Sequence, residues 1–447
     1  MSLKFGTDGV RGVANVDLTP EFLFALGRAA AQVLGSGRPF VVGRDTRGSG
    51  PSLQQALSAG LAREGAEVLD IGVVPTAAVA HSGSQRKAPG AMVSASHNPF
   101  TDNGVKLFAP GGRKLSDAAQ ADIEAALVNV LAAAPAPYAP GDAAASFDGD
   151  ALDAYARSLV SSLEGRTLDG LRVVLDCAHG SASVVAPRVF AQVGAEVTVI
   201  NAEPDGRNIN ANCGSTHPDG LRAAVLDTGA DVGLAFDGDA DRVLAADASG
   251  QFVDGDQILA VCALDLRGRG RLKDDTLVVT VMANLGLRLA MESRGIRVVE
   301  TKVGDRYLLE ALDEGGWSLA GEQSGHILFP DLAPTGDGLL TGLQLLDVIA
   351  RTGKPLAELA SVMTRLPQVL VNVTDVDRGA LDSSTPVWDA VARAEARLGK
   401  RGRVLLRPSG TEPLIRVMVE APSQDEAAGV ADDLAALVAS ELGTGSR

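Results

Sequence analysis

A chain of 447 residues that is 46% hydrophobic and 21% charged is too long for one domain at the usual roughly 100–200 residues each, and it holds apolar material for several ordered cores. Lys and Arg number 40 against 56 Asp and Glu, a net charge of −16, which excludes a general nucleic-acid or anionic-membrane surface and requires any anionic ligand to be held by a local basic pocket. Cys177, Cys213 and Cys262 are odd in number and lack CxxC spacing, so neither a disulfide framework nor a structural zinc is expected, in keeping with a reducing cytoplasm.

In chain order, Met1 to Gly6 lacks the charged and apolar stretches of a secretory signal, and no apolar run reaches the about 18 residues that span a bilayer. Phe5 to Gly12 reads as a glycine-rich turn carrying Arg11, a weak phosphate-loop signal by itself. Three segments then repeat one order of elements. In the first, Phe40-Val41-Val42 predicts a strand, a helix runs to Arg63-Glu64-Gly65, and a second strand begins at Ala66-Glu67-Val68. The second copy has a strand at Val173-Val174-Leu175, a helix to Gln192-Val193-Gly194 and a strand from Ala195; the third has Leu277-Val278-Val279, a helix to Ser293-Arg294-Gly295 and a strand from Ile296. A glycine after each helix fits a left-handed C-terminal stop, and strands alternating with helices predict parallel sheets covered on both faces.

Each copy continues to one more apolar strand that ends in a polar loop. These are Ala91 to Val93 into Ser94–Asn98, Val232 to Phe236 into Asp237–Arg242, and Trp317 to Ala320 into Gly321–His326. Open α/β sheets bind ligands beyond the carboxyl ends of their strands, so the three loops are expected to converge on one cleft. Residues 132–141, rich in Ala and Pro, predict a linker. After a boundary near Leu366-Pro367 the order becomes strand (369–373), helix (387–398), strand (404–407), strand (415–420), helix (425–442), an α+β domain with a hairpin, and 443–447 reads as a frayed end. The expected fold class is α/β, with three similar mixed α/β domains (1–145, 146–252 and 253–366) carrying doubly wound sheets and a C-terminal α+β domain (367–447).

Ser96 stands at a strand end beside His97, with Lys106 a short loop away, so it can be a nucleophile or phosphate carrier next to a proton acceptor and a cation; the competing reading is a polar turn closed by Asn98-Pro99. Asp237, Asp239 and Asp241 alternate on one loop, a hard oxygen set suited to Mg²⁺. An EF-hand is excluded because Arg242 and Ala248 stand where that loop needs Gly and Glu, which leaves a solvated acidic turn as the competitor. Arg407-Pro408-Ser409-Gly410-Thr411-Glu412-Pro413 with Arg416 offers backbone N–H groups, hydroxyls and two guanidinium forks to a phosphate dianion, against an ordinary hairpin turn with exposed arginines. Glu322, Ser324 and His326 lie on a two-glycine turn and suit sugar hydroxyls or an amine, with His326 also able to move protons. Val303-Gly304-Asp305-Arg306 ends another strand and is weak in isolation.

Taken together, FGTDGVRG (5–12), SASHNP (94–99), DNGVK (102–106), DGDADR (237–242), VGDR (303–306), GEQSGH (321–326) and RPSGTEP (407–413) resemble, in order and over nearly the whole chain, the α-D-phosphohexomutase superfamily. The resemblance implies four domains around a central cleft and a phosphorylated Ser96. It implies one Mg²⁺ per chain on Asp237, Asp239, Asp241 and that phosphate, with Arg11, Lys106 and Arg242 near the transferring phosphoryl group. A substrate site would use Gly304, Asp305, Glu322, Ser324 and His326, with a distal phosphate clamp of Arg407, Ser409, Gly410, Thr411 and Arg416. Gln323, where relatives acting on glucose or mannose phosphates commonly have Met, and Asp305, where they have His, favour the amino-sugar branch. The implied activity interconverts glucosamine 6-phosphate and glucosamine 1-phosphate through glucosamine 1,6-bisphosphate, which also primes the enzyme, in a cytoplasmic monomer or homodimer whose partner is a small amino-sugar phosphate. The same superfamily's glucose and mannose mutases, a metal-dependent sugar phosphatase and a non-catalytic sugar-phosphate sensor are the alternatives. His97, Lys106 and His326 all stand as candidates for proton transfer.

Overall fold

The computed structural model describes residues 6, 9–35, 39–133, 138, 145–409 and 414–444. Two compact units divide the chain, Met1–Met282 with Ile296–Val362 and Ala283–Gly295 with Met363–Arg447. Most of the linker expected at 132–141 lies outside the described residues, as do Gly410 and Thr411.

Three sheets in the first unit share one plan, and it accounts for the repeat. In each, the first strand of the copy lies between the other two, all parallel: Pro39–Arg44 between Glu67–Val73 and Gly90–Val93, Arg172–Asp176 between Glu196–Ile200 and Val232–Phe236, and Thr276–Thr280 between Arg297–Thr301 and Ala320–Gly321. The third strand then turns back into an antiparallel neighbour, Asp102–Ala109, Val243–Asp247 or Ile327–Leu328. The sheets are therefore mixed rather than purely parallel: the short polar loop after each third strand is too brief for a helical crossover and closes antiparallel pairing instead. The third copy departs furthest from its pattern, because Trp317 to Leu319 stay outside the strand and only Ala320–Gly321 pairs.

Gly65, Gly194 and Gly295 adopt φ of 89°, 97° and 73°, the left-handed stops expected after the helices Gly50–Arg63, Ala186–Gln192 and Leu285–Glu292. Helix Gly338–Thr352, buried along nearly its whole length, presents Gly342 to Leu234 and Phe190, so it seats against the second copy as well as continuing the third.

In the second unit, Gln368–Thr374, Leu414–Glu420 and Arg403–Pro408 form an antiparallel sheet covered by helices Thr385–Leu398 and Gln424–Leu442. Helix Leu285–Glu292 belongs to this unit. The buried Glu420 carboxylate accepts from Leu285 N at 3.0 Å, Asn284 Nδ2 at 3.1 Å and Arg403 Nε at 2.7 Å, which caps the helix and neutralises the charge. Gly443 and Thr444 are not frayed: Gly443 bridges to Val376, and Thr444 donates to Asp375 O at 2.7 Å.

Candidate active site

The three loops after the third strands meet in the first unit. Strand Val232–Phe236 delivers the acidic loop beneath Ser96, whose Oγ donates to Asp237 Oδ2 at 2.6 Å. Gly238 permits this approach, since a Cβ there would lie 2.6 Å from Ser96 O. The third loop joins by Val243 N donating to Gly325 O at 3.2 Å; a Cβ on Gly325, φ 88°, would fall 2.0 Å from Val243 O.

Lys106, on the strand that returns from the Ser96 loop, places Nζ 2.7 Å from Asp239 Oδ2 and 2.6 Å from Asp241 Oδ2. Arg242 reaches His97 Nδ1 at 3.2 Å, and His97 Nδ1 lies 3.3 Å from Ser96 Oγ. Arg11 meets Asn98 Oδ1 at 3.4 Å. His326 sits between two carboxylates, Nδ1 at 3.8 Å from Asp241 and Nε2 at 3.6 Å from Asp305, while Lys114 pairs with Asp305 at 2.6 Å. Glu322 accepts from Ser324 Oγ at 3.2 Å beside them, and Gly304 leads into the helix that Asp305 begins.

This much charge in little volume sets the protonation states. Burial first, then the Asp241 and Asp239 charges, push the Asp237 carboxyl up to about 8. Burial also works against ionising Asp241, yet Lys106, His326 and Arg242 hold its carboxyl well below the usual range. His326 is raised to about 9, because Asp241, Asp305 and Glu322 outweigh burial, so it is a cation at neutral pH. His97 goes the other way, to about 4, through burial and the guanidiniums of Arg242 and Arg11.

A divalent cation fits this site. Asp237, Asp239 and Asp241 each offer a carboxylate oxygen within 4.8 Å of the others, and Oδ1 of both Asp239 and Asp241 is buried without a hydrogen-bond partner.

In the second unit, Arg407 and Arg416 are direct cross-strand partners, Ser409 N donates to Leu414 O at 2.9 Å, and Arg378 Nη1 donates to Ser409 O at 2.7 Å. Burial and the Arg416 charge lower the Arg407 guanidinium's pKa.

The family is decided by four models that cover most of the chain. They are described as phosphoglucomutase/phosphomannomutase alpha/beta/alpha domains I, II and III, at residues 2–132, 153–250 and 254–366, and the C-terminal domain at 369–437. The chain belongs to the phosphoglucomutase/phosphomannomutase family. Within this family it is 56% identical over 452 residues to the phosphoglucosamine mutase of Kineococcus radiotolerans, covering 99% of this chain and 100% of that one. A phosphoglucomutase/phosphomannomutase family protein of Burkholderia thailandensis has a similar structure, with TM-score 0.82, 27% identity and 98% and 97% of the two chains covered. The Aspergillus fumigatus N-acetylphosphoglucosamine mutase, solved with GlcNAc-6P and magnesium, shares the fold at TM-score 0.72 and 20% identity, covering 98% and 96%.

Several site residues escaped the sequence reading. Thr76, at the start of helix Thr76–Arg86, donates Oγ1 to Asp239 Oδ2 at 2.6 Å and N to Asp239 O at 2.9 Å. Asp45 and Arg47 follow the first strand of the first copy, where the rule about carboxyl ends of strands would have pointed had it been applied to every strand. Lys114 and Arg378 carry no local signal.

Proposed function

We propose that this chain interconverts glucosamine 6-phosphate and glucosamine 1-phosphate with a phosphorylated Ser96 as carrier, acting in the cytoplasm as a monomer or homodimer without nucleic-acid or membrane partners. The observation that carries the proposal is the 2.6 Å contact of Ser96 Oγ with a buried acidic set already balanced by Lys106 and Arg242. The amino-sugar substrate follows from 56% identity to the phosphoglucosamine mutase named above. Four domains, 1–145, 146–252, 253–366 and 367–447, would supply the serine, metal, sugar and distal phosphate loops in turn.

In the forward half, the bond between phosphorus and Ser96 Oγ breaks as a bond from phosphorus to the free sugar hydroxyl forms. The hydroxyl proton leaves to a nearby base, and Ser96 Oγ ends protonated. The glucosamine 1,6-bisphosphate then reverses end for end and returns its other phosphoryl group to Ser96. One bound Mg²⁺, held by Asp237, Asp239, Asp241 and the phosphoserine, would neutralise charge on the transferring group. Arg11, at Asn98, and Arg242, at His97, would steady the same charge. Lys106, His97 and His326 are the candidates for moving protons; His97, neutral near pH 7, suits acceptance, and His326, cationic there, suits donation. Gly304, Asp305, Glu322, Ser324 and His326 would hold the sugar, with Glu322 facing the 2-ammonium. Arg407, Ser409, Gly410, Thr411 and Arg416 would clamp the phosphate that is not reacting.

The test compares glucosamine, glucose and mannose phosphates on one preparation, each primed with its own bisphosphate. A carboxylate that loses its ammonium partner predicts kcat/KM at least about tenfold higher for glucosamine phosphate, roughly 1.4 kcal/mol. Equal efficiency with glucose 1-phosphate would move the assignment to a glucose or mannose mutase.

A further inference from the structure

Ser96 holds a backbone conformation that serine ordinarily avoids. Its φ of 53° lies in the left-handed region, a strained conformation for a residue with a Cβ that persists only where its surroundings over-determine it. Those surroundings are assembled around one guanidinium. Arg47 Nη2 donates to Ser96 O at 2.9 Å and Asn98 O at 2.8 Å, and Nη1 donates to Pro99 O and to Asp102 O, the latter at 2.9 Å. Its Nε donates to Asp45 Oδ2 at 2.8 Å, and that same oxygen accepts from Ser94 Oγ at 2.6 Å, which in turn accepts from Ser96 N at 2.9 Å. From the second copy, Asn210 Nδ2 donates to the same two carbonyls, Ser96 O at 2.9 Å and Asn98 O at 3.1 Å. Asn210 is itself left-handed, φ 58°, and anchored by its N to Ala178 O at 2.9 Å.

We infer that Arg47 and Asn210 are positioning residues for phosphoryl transfer, a clamp on the Ser96 and Asn98 carbonyls that holds the serine oxygen against the acidic loop. The inference rests on the reading of Ser96 as the carrier. The side chains of Arg47 and Asp45 are fully buried, although neither touches the acidic set by any hydrogen bond described here. Burying an ion pair seldom adds stability over apolar residues of the same volume, so stability alone does not explain it. A planar fork does explain it: four carbonyls and a carboxylate use all three guanidinium nitrogens, and the three donors of lysine cannot reproduce the geometry. Because in-line transfer is sensitive to displacement on the order of 1 Å, relaxation of this loop into an ordinary turn would cost about 100-fold in rate without removing any group that contacts the sugar.

The experiment uses Arg47→Lys and Asn210→Leu in the full chain, with Ser96 phosphorylation measured by mass spectrometry and transfer to glucosamine 1-phosphate followed by rapid quench. Both variants are expected to lower kcat by about 10–100-fold with KM within about threefold, and the double variant to lose less than the product of the two, since both act on the same carbonyls. If Arg47→Lys fails to fold, Asn210→Leu decides alone. A wild-type protein that carries phosphate on Ser96 together with an Asn210→Leu enzyme of unchanged kcat overturns the clamp and leaves the carrier intact. Wild-type protein that never accepts phosphate at Ser96 from glucosamine 1,6-bisphosphate overturns both.

Discussion

Around Ser96 opposite charges are interleaved: Asp239 and Asp241 hold Lys106, Asp305 holds Lys114, and His326 lies between two carboxylates. On the C-terminal hairpin, Arg407 stands directly across from Arg416, and Arg378 Nη1 donates to Ser409 O in the adjoining turn. The first region fixes its groups against one another, as preorganised transfer at fixed geometry requires, and leaves two carboxylate oxygens for a cation. The second sets two guanidiniums on adjoining strands, an arrangement that would suit the phosphate dianion proposed above. On the proposed function, the first region would react and the second would capture.

The comparison breaks most completely at Ser96. Ser96→Ala should fold normally, bind sugar phosphate and lose roughly 10⁴-fold or more in kcat, because the proposed carrier oxygen is gone. Steady-state assays beside a thermal melt check this. Next in size is metal removal: EDTA should abolish turnover and Mg²⁺ restore it. In Asp239→Asn, metal affinity should fall by at least about tenfold, with Tm moving only a few degrees.

Arg416→Gln probes the other region. KM for sugar phosphates should rise about tenfold or more as one fork of the proposed clamp is lost. Inorganic phosphate should raise the Tm of the wild type more than that of the variant. The last effect concerns His97 and is confined to acid pH. Its folded pKa of about 4 lies below the unfolded value of 6.5, so the unfolded chain binds the proton first and stability falls as pH drops from 6.5 towards 4. His97→Gln should flatten that limb of a pH–stability curve and leave stability above pH 7 nearly unchanged.

The succession of strand, helix and strand in the three copies was legible because their apolar runs and the glycines after their helices recur; the order of the strands within each sheet was not read. The antiparallel return of each third strand was not, since a loop as short as Asp237–Arg242 reads as a binding turn before it reads as a hairpin. The convergence of Ser96, the three aspartates and His326 followed from one rule about carboxyl ends of strands. Lys106 against Asp239 and Asp241 was placed near the site but not as their ion-pair partner, because sequence gives no side-chain direction. Arg47 was invisible for another reason: a buried arginine that serves backbone carbonyls has no patterned partner in the sequence, only four peptide groups that any residues could supply.

The central claim is that Ser96 carries the phosphoryl group between the two ends of an amino sugar, and isotope transfer tests it most directly. Wild-type protein would be charged with glucosamine 1,6-bisphosphate labelled in both phosphates, mapped by peptide mass spectrometry, then mixed with unlabelled glucosamine 1-phosphate. The account predicts label on Ser96 alone, chased within one turnover into bisphosphate and then glucosamine 6-phosphate. Label on Ser94 or His97, or label on Ser96 released only as inorganic phosphate, would contradict it.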